Sequence, residues 1–331
     1  MTPPLSASHP REVDVDGDGD VYGDVDVVVV GGGPAGLSAA LMLGRSRRSV
    51  LVVDAGEPRN APAEALHGFL TRDGTPPGDL LALGRAEVAR YGVEQHAGSA
   101  VSASREGARL RVQLDGGGSV RARRLVVTTG LVDELPQVHG VAERWGRDVI
   151  HCPYCHGWEV RDRSIGVLAT SALAMHQVGL FRQLSDRIVL LRHTGPEPDA
   201  EQIRTLEARG VEVVQGRVTA LEVHDDALVG VRLADERQVA LEALVVAPRF
   251  VARSGLLTTL GVRTADHPSG FGVYVPADPT GRTDVAGVWV AGNVTDLGAQ
   301  VITAASQGNL AGAAVNADLV AEDAALARNG A

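Results

Sequence analysis

At the start of the chain, two continuous apolar runs flank a segment whose apolar residues have helical spacing. Val25–Val30 form an apolar run that enters a glycine turn, and residues 34–43 then predict a helix. A second apolar run, residues 49–53, predicts a strand that ends at Asp54. The order strand, helix, strand is typical of α/β proteins with a parallel sheet.

The next segments extend this first unit with shorter runs. Residues 79–91 predict a helix. The runs at 100–104, Arg109–Leu114 and 119–121 alternate between apolar and polar residues, which predicts a small β-meander. Residues 125–128 predict a strand that returns to the main sheet.

A second strand–helix–strand pattern occupies the middle of the chain. Its segments are the strand Ile165–Leu168, the helix 172–184, the strand Ile188–Leu191, a helix over 199–209, a strand over 211–214 and alternating runs over 218–246. Residues 288–291 then predict a buried strand, and residues 300–325 a long Ala-rich helix, and both rejoin the first unit. The predicted fold class is therefore α/β with two Rossmann-like domains, the first of them discontinuous.

Composition narrows the classes of function. The chain has 331 residues, enough for about two domains, with a formal charge of −10 and 3% aromatic residues. Such a chain is unsuited to nucleic-acid grooves, so we expect no nucleic-acid partner. Residues 1–24 are rich in Asp and Gly and lack the basic and apolar regions of a signal peptide, which predicts a disordered tail. No apolar run reaches the length of a membrane span, so we expect a cytoplasmic protein without a membrane partner.

The first glycine turn has the spacing of a dinucleotide-binding site. Its first glycine permits a tight turn, its second lets backbone approach a pyrophosphate, and its third allows close contact between helix and strand. An aspartate follows the third glycine by 18 residues, where a carboxylate binds ribose. The alternative is a tight turn that this aspartate merely caps. The residues expected to bind the cofactor here are Gly31, Gly33, Pro34, Ala35, Gly36, Asp54 and Ala55.

The sequence Cys-Pro-Tyr-Cys-His at 152–156 carries the second chemical signal. Its flanking histidine and proline, together with a helix start, are expected to lower thiol pKa values and expose sulfur. Flavin links a dithiol to a dinucleotide site, because it takes an electron pair from the dithiol and passes it on. We therefore expect Cys152 and Cys155 to form a redox pair and FAD to be the cofactor.

Three other interpretations of the cysteine pair stay open. A zinc site would need further ligands, and His151 and His156 lie too near in sequence to complete a tetrahedron, so we expect no metal. Covalent haem attachment fits the spacing but normally requires export. Two buried, unreactive thiols also fit, since free cysteine packs well in cores.

A second glycine turn precedes the last predicted helix. Gly292 and Asn293 follow a buried strand, and Gln300 and Val301 open the helix. A helix N-terminus here would stabilise the negative charge that develops on the flavin pyrimidine ring during reduction. A simple strand–helix connection would produce the same pattern.

The order of these motifs makes the chain resemble the thioredoxin-reductase-like flavoproteins from about Asp26 to Val320. The shared elements are GGGPAG, the Thr-Thr-Gly sequence at 128–130, the cysteine pair and GVWVAGNVTD with its following helix. The resemblance implies an FAD domain built from residues 25–134 and 248–325, a central domain over 135–247 that resembles an NADPH-binding domain, and a homodimer. It implies FAD contacts at Arg59, Asn60, His67, Thr129, Gly130, Gly292, Asn293, Gln300 and Val301. For His67 the alternative is a loop histidine whose hydrogen bonds are satisfied locally. Asn293 stands where an aspartate is usual and is expected to hydrogen-bond the ribityl chain.

The central domain departs from the thioredoxin reductases at its nucleotide site. The turn after Ile165–Leu168 reads Ala169-Thr170-Ser171 in place of glycines, and these side chains obstruct a pyrophosphate. Arg192 replaces the basic cluster that holds a 2′-phosphate, and one arginine makes a weak clamp. A divergent but working NADPH site is the alternative.

A second departure is His156, which stands at a position that is acidic in thioredoxin reductases. Together with His67 and the Gly-Phe-Leu after it, this histidine makes the chain resemble the dithiol oxidases of gliotoxin- and holomycin-type natural products. That resemblance implies a small-molecule dithiol substrate, O2 reduced to H2O2, and catalysis by Cys152, Cys155 and His156. The alternatives are a thioredoxin-type disulfide reductase fed by NADPH or another donor, and a haem-carrying redox protein.

The implied mechanism assigns a separate role to each catalytic residue. A substrate thiolate attacks Cys152 of the oxidised pair, while Cys155 lies against the flavin. His156 takes and returns the thiol protons, since its ordinary pKa is near neutrality. Of the residues after it, Trp158 is expected to pack internally and Glu159 to face solvent.

Overall fold

The structure is a computed structural model that describes residues 22–329. Most of the predicted disordered tail, 1–24, therefore lies outside the described residues. The strands are β1 (Val25–Val30), β2 (Val50–Asp54), β3 (Glu94–Ala97), β4 (Ala100–Glu106), β5 (Arg109–Leu114), β6 (Ser119–Val127), β7 (Leu131–Glu134), β8 (Val149–Ile150), β9 (Ile165–Leu168), β10 (Ile188–Leu191), β11 (Glu212–Val214), β12 (Val218–His224), β13 (Ala227–Leu233), β14 (Gln238–Ala240), β15 (Ala243–Val245), β16 (Arg249–Ala252), β17 (Ala265–Asp266), β18 (Gly272–Tyr274) and β19 (Val288–Val290).

The helices lie mostly between parallel strands. They are α1 (Pro34–Arg45), α2 (Pro77–Ala89), α3 (Pro153–His156), α4 (Ala174–Phe181), α5 (Ala200–Ala208), α6 (Gly255–Thr259) and α7 (Val301–Asn329), with a 3-10 turn at Gly292–Val294. None of the helices within 22–329 is both long and apolar enough to cross a membrane.

The first sheet has the strand order β3-β2-β1-β6-β5-β4, and β19 also pairs with β6. β1 runs parallel to β2 and β6, and β19 runs parallel to β6. β1 and β2 are continuous apolar runs because both of their faces are covered in the core. Since the carboxyl ends of parallel strands meet at one edge, the two glycine turns that follow β1 and β19 lie at the same edge of this sheet.

β6 corrects the prediction of two separate strands at 119–121 and 125–128. Ser119–Val127 form one strand, which pairs antiparallel with β5 in its first part and parallel with β1 in its second. Arg123 and Arg124 interrupt the apolar residues, so the sequence pattern suggests that one strand ends and another begins here. Carboxylates of α7 pair with both arginines, so the strand continues through them.

α1 and α7 lie against each other on this sheet through small residues. A Cβ on Gly308 would overlap the carbonyl oxygen of Ala35, and a Cβ on Gly312 would lie 2.8 Å from the carbonyl oxygen of Ala39. A Cβ on Gly292 would lie 3.0 Å from Cβ of Ala35. The second glycine turn is therefore a direct neighbour of the helix that follows the first.

The second sheet has the order β11-β10-β9-β15-β8, and all its pairs are parallel. α4 spans Ala174–Phe181 and is shorter than the predicted helix at 172–184, whose ends are turns. β12, β13 and β14 form a separate antiparallel sheet. The two parallel sheets confirm the predicted α/β class with two Rossmann-like units.

A further sheet, with the order β17-β18-β16-β7, has no counterpart in the predicted elements. β7 follows β6 of the first sheet, and β16 follows β15 of the second. These two strands pair antiparallel, with Phe250 opposite Asp133. The chain thus passes between the two Rossmann-like units through one pair of adjacent strands.

Candidate active site

A cavity of about 810 Å³ is lined by residues of both Rossmann-like units. All the residues that the sequence indicates for catalysis or cofactor binding line it, with the exception of Gly36. They are Gly31, Gly33, Pro34, Ala35, Asp54, Ala55, Arg59, Asn60, His67, Thr129, Gly130, Cys152, Cys155, His156, Gly292, Asn293, Gln300 and Val301. The glycine turns and the cysteine pair, far apart in sequence, therefore open into the same space.

The first glycine turn is shaped by close backbone contacts on one side and open space on the other. Gly31 has a φ of 102°, and a Cβ there would lie 2.6 Å from the carbonyl oxygen of Thr128. A Cβ on Gly36 would overlap the carbonyl oxygen of Gly31, which explains why Gly36 lies inside the turn and not on the cavity wall. A Cβ on Gly33 would meet no atom within 4 Å.

These contacts fit a dinucleotide. Gly33 leaves the backbone open to the cavity, and α1 begins at Pro34 without a side-chain cap, so its first N–H groups are available to an anion. Asp54 accepts a hydrogen bond from the N–H of Gly32 through Oδ1 at 2.9 Å. Asp54 lines the cavity at the end of β2, where a carboxylate is expected to bind ribose.

The side-chain amide of Asn293, in the second glycine turn, makes its hydrogen bonds within the same segment of the chain. Nδ2 of Asn293 donates to the carbonyl oxygens of Asp296, at 3.0 Å, and Ala299, at 2.9 Å. Both of its amide hydrogens are therefore engaged, so Asn293 can meet a ligand in the cavity only as an acceptor, through Oδ1. α7 begins at Val301 and has no acidic residue in its first turn, so the positive end of its dipole is not neutralised there.

The cysteine pair lies at the start of the short helix α3. Cys152 is its N-cap residue, and Sγ of Cys152 accepts a hydrogen bond from the backbone N–H of Cys155 at 3.2 Å. Both cysteines are partly buried, and no disulfide joins them in this structure. Across residues 22–329, no group of three or more His, Cys, Asp and Glu side chains is arranged to hold a metal ion.

The two thiols differ in acidity. A hydrogen bond from the Cys155 side chain is the largest influence that lowers the pKa of Cys152, to about 7. Backbone N–H groups of Cys155 and Tyr154 and the side chain of Gln300 act in the same direction, against the effect of burial. The same thiol–thiol hydrogen bond, together with burial, raises the pKa of Cys155. Cys152 is therefore the thiol that ionises first.

His156 lies beside the cysteines and is partly buried. Its backbone N–H donates to the carbonyl oxygen of Cys152 at 3.2 Å. Burial lowers the pKa of His156, while the carboxylate of Glu159 opposes that shift. A buried imidazole with a lowered pKa is neutral at physiological pH and can accept a proton.

His67 connects the two Rossmann-like units. Its Nε2 lies 3.4 Å from Oε1 of Glu159, and its Nδ1 lies 3.4 Å from Oδ2 of Asp73. The expectation that Glu159 simply faces solvent is therefore incomplete. The expectation that Trp158 packs internally is wrong: its side chain is 64% exposed, and the guanidinium of Arg161 lies over its ring.

Arg59 contacts both strands, β7 and β16, through which the chain passes between the two Rossmann-like units. Its guanidinium makes two hydrogen bonds to the carboxylate of Asp133 on β7, at 2.6 and 2.8 Å, and lies 5.1 Å from the ring centroid of Phe250 on β16. The sequence indicated Arg59 for the cavity but gave no sign of Asp133 or Phe250. Nearby, Nδ1 of His151 lies 3.0 Å from the carbonyl oxygen of Val246, and burial lowers the pKa of this histidine.

The expected nucleotide site of the second unit has little open space. The loop after β10 folds over the turn after β9, and a Cβ on Gly195 would lie 2.7 Å from Cβ of Ala169. Arg192 is buried and makes two hydrogen bonds to the carboxylate of Glu197, at 2.5 and 2.7 Å. The space left between them is about 30 Å³, which is room for about one water molecule.

Known proteins resemble this chain over nearly its whole length. The family model described as pyridine nucleotide-disulphide oxidoreductase matches residues 25–308. The thioredoxin reductase sirT of Leptosphaeria maculans is 31% identical over 317 residues, which cover 91% of this chain and 96% of that protein. The solved structure of HlmI matches with a TM-score of 0.87 at 48% identity and covers 93% of this chain and 96% of HlmI. That of an oxidoreductase from Agrobacterium tumefaciens matches with a TM-score of 0.84 at 37% identity and covers 90% and 99%.

The chain therefore belongs to the pyridine nucleotide-disulphide oxidoreductase family. Within that family it is a thioredoxin-reductase-like FAD oxidoreductase, with its Cys-x-x-Cys pair in the central part of the chain.

Proposed function

We propose that the protein is an FAD-dependent dithiol oxidase that closes an intramolecular disulfide in a small-molecule, natural-product dithiol, with O2 reduced to H2O2. The observation that carries this proposal is the ion pair between Arg192 and Glu197, which engages the arginine that a reductase-type site would offer to the phosphate of NADPH. In this proposal NADPH is not the donor, and electrons enter through the cysteine pair. The proposed domains are those expected from the sequence, 25–134 with 248–325 and 135–247, and the proposed assembly is a homodimer.

The proposed cofactor site follows the edge of the first sheet. Gly33 and the N-terminus of α1 hold the pyrophosphate, and Asp54 binds the adjacent ribose. The second glycine turn and the N-terminus of α7 face the flavin ring, with Asn293 as an acceptor toward the ribityl chain. When bound there, FAD accepts two electrons and two protons from the dithiol and delivers them to O2.

The proposed reaction has two displacement steps. A substrate thiolate attacks Sγ of Cys152 in the oxidised pair, breaks the Cys152–Cys155 disulfide and forms a mixed disulfide. The second substrate thiol then attacks the substrate sulfur of this mixed disulfide, forms the cyclic product and releases Cys152. The substrate loses two electrons and two protons, and the cysteine pair gains them.

The acidity of the thiols suits this order. The lowered pKa of Cys152, about 7, makes it a good leaving group in the second displacement. Cys155, whose pKa is raised, takes up a proton when the pair is reduced. In this proposal, His156 accepts the protons of the attacking substrate thiols at its imidazole and passes them to the released cysteine sulfurs.

A second candidate function is that of a disulfide reductase, which the likeness to proteins named thioredoxin reductase favours. The two candidates differ in their electron donor. The test is oxygen consumption by the FAD-loaded protein with either dithiothreitol or NADPH as the only donor. The oxidase proposal predicts one H2O2 per dithiol and no turnover with NADPH. Turnover with NADPH and a disulfide acceptor, without turnover of dithiol and O2, would contradict it.

A further inference from the structure

The loop over residues 66–75 reaches from the first Rossmann-like unit to the cysteine pair. Its base is closed by hydrogen bonds from the N–H of Leu66 to the carbonyl of Thr75 and from the N–H of Gly74 to the carbonyl of Leu66, each 2.9 Å. A Cβ on Gly68 would lie 3.7 Å from Oε1 of Gln300, whose side chain also acts on Cys152. The loop therefore lies beside the redox sulfurs.

Glu159 meets this loop from the other side. It follows His156 by three residues, and its carboxylate contacts Nε2 of His67, next to the base of the loop. Asp73, within the loop, contacts the opposite ring nitrogen and also accepts a hydrogen bond from the N–H of Gly68 at 2.8 Å. His67, between the two carboxylates, is the least exposed of the three side chains at 22%, compared with 40% for Glu159 and 66% for Asp73.

We propose that Glu159 is a positioning residue of the thiol half-reaction. By pairing with His67 it holds the 66–75 loop beside the cysteines, and its carboxylate supplies a negative charge near His156. The inference deepens the proposed dithiol oxidase function and rests on it. Glu159 itself lies outside the cavity wall, whereas His67 and His156 both line it. Its effect on the reaction is therefore indirect.

The electrostatics of His156 agree with this role. Burial alone would make His156 a weak base, because it lowers the pKa, and His67 acts in the same direction. Glu159 is the group that raises it. The other titratable side chains that line the same cavity include the two cysteine thiols, Tyr154, His151, Arg59 and His176 of α4. A base whose pKa stays near the working pH can both accept and return a proton, so Glu159 supports the function assigned to His156.

The test compares the pH dependence of one half-reaction in matched variants. FAD-loaded wild type and Glu159→Gln are mixed anaerobically with dithiothreitol, and the loss of oxidised-flavin absorbance is followed across pH. The substrate thiols titrate identically in both proteins, so a difference between the profiles belongs to the enzyme. We expect the acid limb of Glu159→Gln to move to lower pH by about half a unit. His67→Gln should move it to higher pH.

Glu106→Gln is the matched control. Glu106 is 41% exposed, pairs with Arg111 on the first sheet and does not line the cavity, so its profile should coincide with that of the wild type. Limited proteolysis supplies a second measurement, because Glu159→Gln should be cut within residues 66–75 several-fold faster than this control. A Glu159→Gln profile that coincides with that of the wild type would overturn this inference and leave the oxidase proposal standing. If dithiothreitol does not reduce the wild-type flavin, the oxidase proposal fails and this inference fails with it.

Discussion

The backbone N–H of Cys155 donates to Sγ of Cys152 across 3.2 Å, and this contact distinguishes two thiols that are otherwise neighbours on one turn. The N-cap position makes Cys152 the sulfur that receives hydrogen bonds. Cys155, one turn later, donates through its own thiol. The pair thus has one sulfur suited to exchange with substrate and one that keeps its proton.

The first prediction concerns the ionisation of Cys152. In the reduced protein, the rate of alkylation by iodoacetamide should rise with pH through a midpoint at about 7, because the thiolate is the reactive form. Cys155→Ala removes the thiol donor and should move the midpoint upward, toward the ordinary value of about 8.5. Mass spectrometry of the alkylated peptide gives both curves. Identical midpoints in the two proteins would contradict the account of this hydrogen bond.

The second prediction concerns the division of labour between the cysteines. With a dipyridyl disulfide, the reduced wild type should release both pyridinethiones and form the internal disulfide, whereas Cys155→Ser should release one and retain the other on Cys152. Cys152→Ser should react several-fold more slowly at neutral pH, since burial still raises the pKa of Cys155 when the Cys152 sulfur is gone. Equal rates for the two serine variants would show that the order of the cysteines is wrong.

The third prediction uses two glycines of the same turn. Gly33→Ala places a Cβ where no atom lies within 4 Å, so the fold should be retained while FAD affinity falls roughly 10-fold or more. In Gly36→Ala the Cβ would overlap the carbonyl oxygen of Gly31, and the protein should lose about 3 kcal/mol or more of stability. Thermal unfolding of the cofactor-free proteins and titration with FAD separate the two effects. Wild-type FAD affinity in Gly33→Ala would contradict the proposed pyrophosphate site.

The glycine turns and the cysteine pair could be predicted from the sequence because their chemistry depends on local spacing. Gly31, Gly33 and Gly36 have distinct geometric requirements within six residues, and Cys152 and Cys155 share one helical turn. The parallel strands around them could be predicted for a related reason, since each is an apolar run next to its turn. The sequence therefore indicated which residues line the cavity without indicating their partners.

The partners could not be predicted because they depend on contacts between distant polar residues. His67 and Glu159 lie in loops with no periodic pattern, on different Rossmann-like units. The sequence predicted that Arg192 is a weak phosphate clamp, but the pattern gave no sign that Glu197 pairs with it. Strands β7 and β16 are four residues each, too short for alternation to distinguish them from loops, and only their pairing across the chain defines them.

The fourth prediction concerns the ion pair between Arg59 and Asp133 of the linking strand β7. The side chain of Asp133 is only 8% exposed, so Arg59→Gln leaves a buried carboxylate without its partner and should lower the free energy of unfolding by roughly 2–3 kcal/mol. Arg249→Gln, which breaks an exposed ion pair with Glu134 at the end of the same strand pair, should cost less than about 1 kcal/mol. Equilibrium unfolding in urea measures both. Equal losses in the two variants would contradict a special role for Arg59.

The most direct test of the proposed function is anaerobic stopped-flow of the purified, FAD-loaded protein, mixed with either dithiothreitol or NADPH and then with O2. The account predicts that the dithiol reduces the flavin while NADPH leaves it oxidised, because Glu197 engages Arg192 and little space is left beside them for a nucleotide. Aeration should then restore the oxidised spectrum with release of H2O2. Rapid reduction by NADPH would contradict the account and identify the protein as a disulfide reductase.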